Sequence, residues 1–153
     1  MTITVSDPHA DDRVAWERLY RGYAAFYAVP MTDATLETVW TWIHDPARAL
    51  WCRLARDGNG TPVGLMHFRA MPSPLRGREI GFLDDLFVDP AARGSGAVDA
   101  LFNDLQTQAR ARDWPSVRWI TADDNYRARA VYDRIAHKTH WNTYQLDIGN
   151  STP

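Results

Sequence analysis

Phe82-Leu83-Asp84-Asp85-Leu86-Phe87-Val88-Asp89-Pro90-Ala91-Ala92-Arg93-Gly94-Ser95-Gly96-Ala97-Val98 is the stretch that decides how this 153-residue chain folds. The apolar run broken only by Asp84-Asp85 reads as a buried strand. Asp89-Pro90 closes it, since proline cannot extend a ladder. Glycines at 94 and 96 let the backbone approach a ligand and aim N–H groups at it. The helix that follows adds about half a positive charge at its N-terminus. Together these features form an anion site suited to a pyrophosphate, with Arg93 adding a formal charge. The Gly-Lys-Ser/Thr of a triphosphate-binding loop is absent, and so is the third glycine of the dinucleotide fingerprint. Taken alone, the stretch is also compatible with a strand-to-helix turn whose glycines serve geometry only.

Working outward, Thr2 to Val5 alternates as a first strand. From Asp12 to Ala28, residues Trp16, Leu19, Tyr20, Tyr23, Phe26 and Tyr27 fall at helical spacing on one face. Asp33 to His44 predicts a second helix, N-capped by Asp33 and stopped at Asp45-Pro46. Period two then takes over. Leu50 to Arg56 and Pro62 to Arg69 form a hairpin about the turn at Asp57–Gly60. Met71 to Gly77 reads as a loop, and Glu79 to Val88 as the long fourth strand. Beyond the glycine loop, Val98, Leu101, Phe102, Leu105 and Ala109 mark a helix. Val117 to Thr121 is a strand, a last helix capped by Asp123-Asp124-Asn125 runs to about Ile135, and Thr139 to Ile148 is a closing strand. The order β-α-α-β-β-β-α-β-α-β specifies an α/β protein, a mixed sheet covered by helices. One domain is expected over 1–148, with a short tail at 149–153.

Composition narrows the function. Lys plus Arg is 17 against 19 for Asp plus Glu, a formal charge of −2. That leaves no basic field for a nucleic-acid backbone. The lone Cys52 can form no internal disulfide, and no cysteine cluster offers a metal site. A reducing cytoplasm is the expected location. No apolar run suggests a membrane span, and the first residues lack the plan of a signal peptide.

Val88-Asp89-Pro90-Ala91-Ala92-Arg93-Gly94-Ser95-Gly96 resembles the coenzyme A signature of the GNAT N-acetyltransferase superfamily, Arg/Gln-x-x-Gly-x-Gly/Ala. Arg93 and Gly96 match, while Val98 stands at the last small position. Asn125-x-x-Ala128-x-x-x-Tyr132 is similar to a second family motif after the fifth strand. The likeness extends over most of the chain and is strongest to polyamine, amino-acid and histone-type acetyltransferases. It implies a mostly antiparallel sheet splayed between the fourth and fifth strands, with acetyl-CoA as cosubstrate and no metal. It implies that Leu86, Phe87 and Val88 pair with the pantetheine arm, that Arg93, Gly94, Ser95, Gly96, Ala97 and Val98 hold the pyrophosphate, and that Asn125 sits near the arm. It further implies Tyr132 as the acid that protonates the leaving sulfur, and Asp84 as the base. Homodimers are expected by analogy alone.

The residues add chemistry of their own. An attacking ammonium must first lose a proton, and a phenol with a pKa of about 10 can share a proton with a thiol. Neighbours in a strand point to opposite faces, so only one of Asp84 and Asp85 is expected to face the cleft. A structural role for either carboxylate, and for Tyr132, is the alternative. Tyr23, Tyr27 and Asp85 are the candidate acceptor contacts, since aromatic faces hold ammonium groups. Most aromatics of the first two helices are expected to be core. His137 and His140 read as surface histidines, and Cys52 as an inert core residue. The expected reaction is direct acetyl transfer to the primary amine of a small cationic acceptor. A protein-lysine acetyltransferase or a non-catalytic coenzyme A sensor are the alternatives.

Overall fold

In the computed structural model of the protein, residues 2–149 are described. Beyond Gly149, the expected tail lies outside them. Helix α1 (Arg13–Phe26) follows the predicted apolar stripe and buries Trp16, Leu19 and Ala24. Helix α2 (Asp33–Ile43) buries Leu36. Its cap falls one residue earlier than expected: the Thr32 hydroxyl accepts the Thr35 N–H at 3.1 Å. Asp33 instead sits in the first turn, where its carboxylate complements the helix dipole and accepts from Arg21 at 2.6 Å.

Strands β1 (Thr4–Ser6), β2 (Leu50–Arg56), β3 (Pro62–Ser73), β4 (Arg78–Val88) and β5 (Val117–Arg118) make one sheet in sequential order. All pairs are antiparallel except β4 with β5. The fold is therefore the mixed α/β sheet that the residue pattern predicts, and it is mostly antiparallel, as the resemblance implies. Strand β3 runs further than expected, taking Met71 to Ser73 into the ladder opposite Ile80 to Arg78. Past Arg69 it has no β2 partner, so Pro72 can turn its donorless nitrogen to that open side. Strand β5 is shorter than expected. It pairs only with Gly81 and Phe82, so β4 from Leu83 to Val88 has no β5 partner. The β4–β5 pairing thus ends early, before the stretch where the resemblance implies a splay.

Alternation divides the sheet's two faces. Cys52, Leu54 and Leu65 pack with Trp16, Leu19 and Leu36 under α1 and α2. On the other face, α3 (Ala97–Ala111) buries Leu101, Phe102, Leu105 and Ala109. Arg53 of β2 binds Asp104 of α3 through two bonds of 2.8 Å.

The chain divides into two compact units, the first ending at Trp119 and the second beginning at Ile120. In the second, α4 (Tyr126–Ile135) is capped as predicted: Asn125 Oδ1 accepts the Ala128 N–H at 3.3 Å. The expected strand at Thr139–Ile148 is not formed among the described residues. Trp141, Tyr144, Leu146 and Ile148 are exposed there. Alternating apolar residues favour a strand, but a strand persists only where a ladder satisfies its backbone groups. No described helix is long and apolar enough to cross a membrane.

Candidate active site

The register of β3 and β4 breaks at the acidic pair. Asp85 lies opposite His67 and Leu83 opposite Phe68, so Asp84 is one extra residue with no partner across the ladder. Such a bulge shifts the side-chain phase of the strand by one. Asp84 and Asp85 therefore do not face opposite ways as simple alternation predicts. Both line one pocket of about 410 Å³ on the α1/α2 side of the sheet. Tyr20, Val39, Trp42 and Leu50 line it from α1, α2 and β2, and His67 and Arg69 from β3.

Asp85 is tied into the protein. Its Oδ2 accepts the Tyr20 hydroxyl at 2.9 Å and meets His67 Nδ1 at 2.9 Å. The Trp16 indole N–H donates to His67 Nε2 at 3.0 Å. Trp16 and His67 are both buried. Burial works against a charged imidazole, and the charges and hydrogen bonds of Cys52 and Asp85 outweigh it, pushing the His67 pKa up to about 10, whereas the bond from Trp16 calls for the neutral ring. The hydrogen bonding decides between them. An indole nitrogen only donates, so Nε2 must present its lone pair. His67 is therefore neutral, with its proton on Nδ1 aimed at Asp85. Burial pushes the Asp85 pKa up, but hydrogen bonds from His67, Tyr20 and Tyr23 outweigh it and hold the carboxyl below its usual range. Burial and the Asp85 charge push the phenols of Tyr20 and Tyr23 far up, so both stay protonated donors.

Asp84 is less enclosed. Its carboxylate meets Arg69 Nε at 3.0 and 3.2 Å. Burial raises its pKa, Arg69 opposes the rise, and the charge of Asp85 adds to it; the carboxyl stays above its usual range. The Arg69 guanidinium lies over the Phe82 ring at 4.7 Å. Tyr23 reaches the Asp84 carbonyl at 3.4 Å. Tyr27 packs on Tyr23, with ring centroids 5.0 Å apart. Neither tyrosine lines the pocket, whereas Tyr20 and Trp42 do. Phe26, Tyr27 and Trp42 are exposed rather than core.

The loop after β4 has the shape its glycines foretell. Gly94 and Gly96 take φ of +78° and +87°, a region that side chains disfavour. A Cβ on either would meet nothing within 4 Å, so the space beside both is open. Asp89 caps the turn by accepting the Ala91 N–H at 2.9 Å and is braced by Arg18 at 2.7 Å. Ser95 Oγ accepts the Ala97 N–H at 3.3 Å. Arg93 is exposed beside the start of α3. An open glycine cradle at a helix N-terminus, next to the stretch of β4 from Leu86 to Val88 that pairs with β3 but not with β5, fits the pyrophosphate and arm of a coenzyme A. Asn125 and Tyr132 belong to the second unit, where Asn125 serves as the cap of α4 and Tyr132 lies on that helix, half-buried.

Tyr20 appeared among the helix aromatics, but nothing singled it out. His67, Arg69 and Trp16 were missed as site residues. His67 and Arg69 alternate on one face of β3, and that alternation was the one available signal. Only the register with β4 brings them to the acidic pair.

Residues 16–137 match the acetyltransferase (GNAT) family. The chain is 29% identical over 138 residues to the D-amino-acid N-acetyltransferase HPA3 of Saccharomyces cerevisiae, spanning 90% of this chain and 86% of that one. It is 29% identical over 90 residues to the glucosamine 6-phosphate N-acetyltransferase of Trypanosoma brucei brucei, spanning 58% of this chain and 59% of the other. A ribosomal-protein-alanine N-acetyltransferase from Brucella melitensis biovar Abortus superposes with a TM-score of 0.80 at 24% identity, over 97% of this chain and all of that one. At that identity the superposition speaks to fold alone. The matched span, the glycine loop and the mixed, mostly antiparallel sheet agree: the chain belongs to the GNAT family and is an N-acetyltransferase.

Proposed function

We propose that the chain transfers the acetyl group of acetyl-CoA directly to the primary amine of a small cationic acceptor held in the pocket beneath α1 and α2. The observation that carries this reading is the bulge at Asp84, which sets two carboxylates of opposite character side by side. Environments that push two pKa values apart assign two roles. Asp85, held ionised by its donors, attracts the ammonium. Asp84, with its raised pKa, accepts the proton that must leave before the nitrogen can attack. Tyr20 and Trp42 border the acceptor with π-faces, in place of the expected Tyr23 and Tyr27.

Acetyl-CoA, when bound, supplies the activated thioester. Arg93 to Val98 would hold its pyrophosphate on backbone N–H groups and the dipole of α3. The backbone of Leu86, Phe87 and Val88 would take its arm as an added strand. Asn125 would stand near that arm, and Tyr132 keeps the role its motif implies, proton donor to the sulfur. A pocket of about 410 Å³ is within the range of small-molecule sites, which favours a small amine over a protein tail.

The test is thiol release from acetyl-CoA with spermidine, free lysine, an aminoglycoside and a lysine-rich peptide at matched concentration. Turnover with one or more small amines at higher kcat/KM than the peptide is expected. A clear preference for the peptide overturns the acceptor class, and no thiol release with any amine overturns the reaction. Tyr132→Phe should lower kcat by about 10²-fold while leaving acetyl-CoA affinity little changed.

A further inference from the structure

We propose that Arg69 reads a carboxylate beside the acceptor's amine, so that the acceptors of this enzyme are α-amino acids. The inference rests on the amine-acetyltransferase reading above and narrows it.

A pocket meant for a simple amine needs carboxylates only. This one adds a guanidinium, and the guanidinium is presented outward. Arg69 contacts Asp84 through Nε alone. Its two terminal nitrogens make no hydrogen bond to any described residue, and its side chain is 46% exposed. The Phe82 ring lies 4.7 Å from the guanidinium carbon and supports the side chain from β4. A guanidinium offers its donors in its own plane, the geometry in which a carboxylate binds through two parallel bonds.

Spacing selects the acceptor. In an α-amino acid the ammonium and the carboxylate share one carbon, so the groups that grip them must be neighbours. Asp84 and Arg69 touch. A polyamine would carry its second positive charge toward Arg69 and be repelled. An amino sugar phosphorylated at a distant carbon would hold its anion too far from its amine. Asp84, Asp85 and Arg69 sum to one negative charge, with His67 neutral. Val39, Trp42 and Leu50 form the rest of the wall, which suits an apolar or cationic side chain and not an acidic one.

The experiment compares amino acids with amines that differ by the carboxylate alone. Thiol release from acetyl-CoA is followed with phenylalanine and phenethylamine, and with leucine and 3-methylbutylamine. Both enantiomers of each amino acid are used, and rates are compared at equal concentration of free base. For the better enantiomer, kcat/KM should exceed that of the matched amine by roughly 10- to 100-fold, the size of one charge-assisted interaction. Arg69→Gln should bring the ratio toward one, and Arg69→Lys should leave it in between. The methyl ester of phenylalanine, which needs no variant, should behave like phenethylamine. A wild-type ratio near one, or a ratio unchanged in Arg69→Gln, overturns the inference and leaves the amine reading intact. Thiol release with none of these amines, and none with the wider panel above, overturns the amine reading itself.

Discussion

Asp84 and Asp85 are adjacent in sequence and line the same pocket, yet they belong to two different regions of the molecule. The Asp85 side is built inward: carboxylate, imidazole and indole form a chain from the pocket into the core at Trp16. The Asp84 side is built outward: a bulged, unpaired residue meets a half-exposed arginine resting on a ring. The first arrangement holds a charge in place. The second leaves a group able to change protonation without disturbing the fold. The fold thus keeps its fixed charge and its mobile proton on separate supports one residue apart.

The pH behaviour of stability should carry opposite signs on the two sides. The Asp85 pKa is lowered on folding. Its contribution is present above the unfolded carboxylate's pKa of about 3.9 and is lost as pH falls through the lower folded value. The Asp84 pKa is raised. Its ionisation costs stability as pH rises from about 3.9 through the folded value.

The largest effect that would sharpen this contrast is Asp85→Ala. It strands the His67 and Tyr20 donors in the interior and should destabilise the protein by about 2–4 kcal/mol in urea unfolding, with loss of turnover. Wild-type stability in that variant would erase the difference between the two sides. Asp84→Asn should do the reverse. We expect unfolding within about 0.5 kcal/mol of wild type or slightly more stable, while kcat falls about 10²-fold. If Asp85→Asn is the silent change and Asp84→Asn unfolds the chain, the two sides have been assigned the wrong way round. Next in size is Gly96→Asp, which lies outside the pocket and so calibrates it. A carboxylate at the glycine cradle, on a residue with φ of +87°, should weaken acetyl-CoA binding about tenfold or more in calorimetric titration. Its unchanged affinity in a folded variant would remove the loop from the coenzyme site. The smallest effect is Trp16→Phe. Packing is largely kept and one buried hydrogen bond is lost, so about 1 kcal/mol of stability should go.

Much of this fold could be read locally. The stripe of Trp16, Leu19 and Tyr20, the hairpin about Asp57–Gly60 and the strand-to-helix loop at Arg93–Val98 each carry their signal within a few residues. The positive φ of Gly94 and Gly96 is a local consequence of composition. The pocket is different. Whether Asp84 faces the cleft depends on a bulge, and a bulge is a property of two strands. Nothing in Leu83-Asp84-Asp85 by itself announces it. His67 and Arg69 become site residues only through the β3–β4 register, and Trp16 only by reaching across 51 positions to His67. The closing strand at 139–148 fails for the complementary reason. Its alternation is a local signal, but a ladder needs a partner that local sequence does not supply.

The account stands on Asp84 as the group that takes the acceptor's proton, and the pH dependence of kcat in wild type and Asp84→Asn tests it most directly. At saturating amine, the wild-type rate should climb through a carboxyl pKa raised above the usual range and then level off. Asp84→Asn should lose that step and rise about tenfold per pH unit toward the amine's own pKa, because only amine already deprotonated can then react. Parallel profiles for the two proteins, with the step retained in Asp84→Asn, would contradict the assignment.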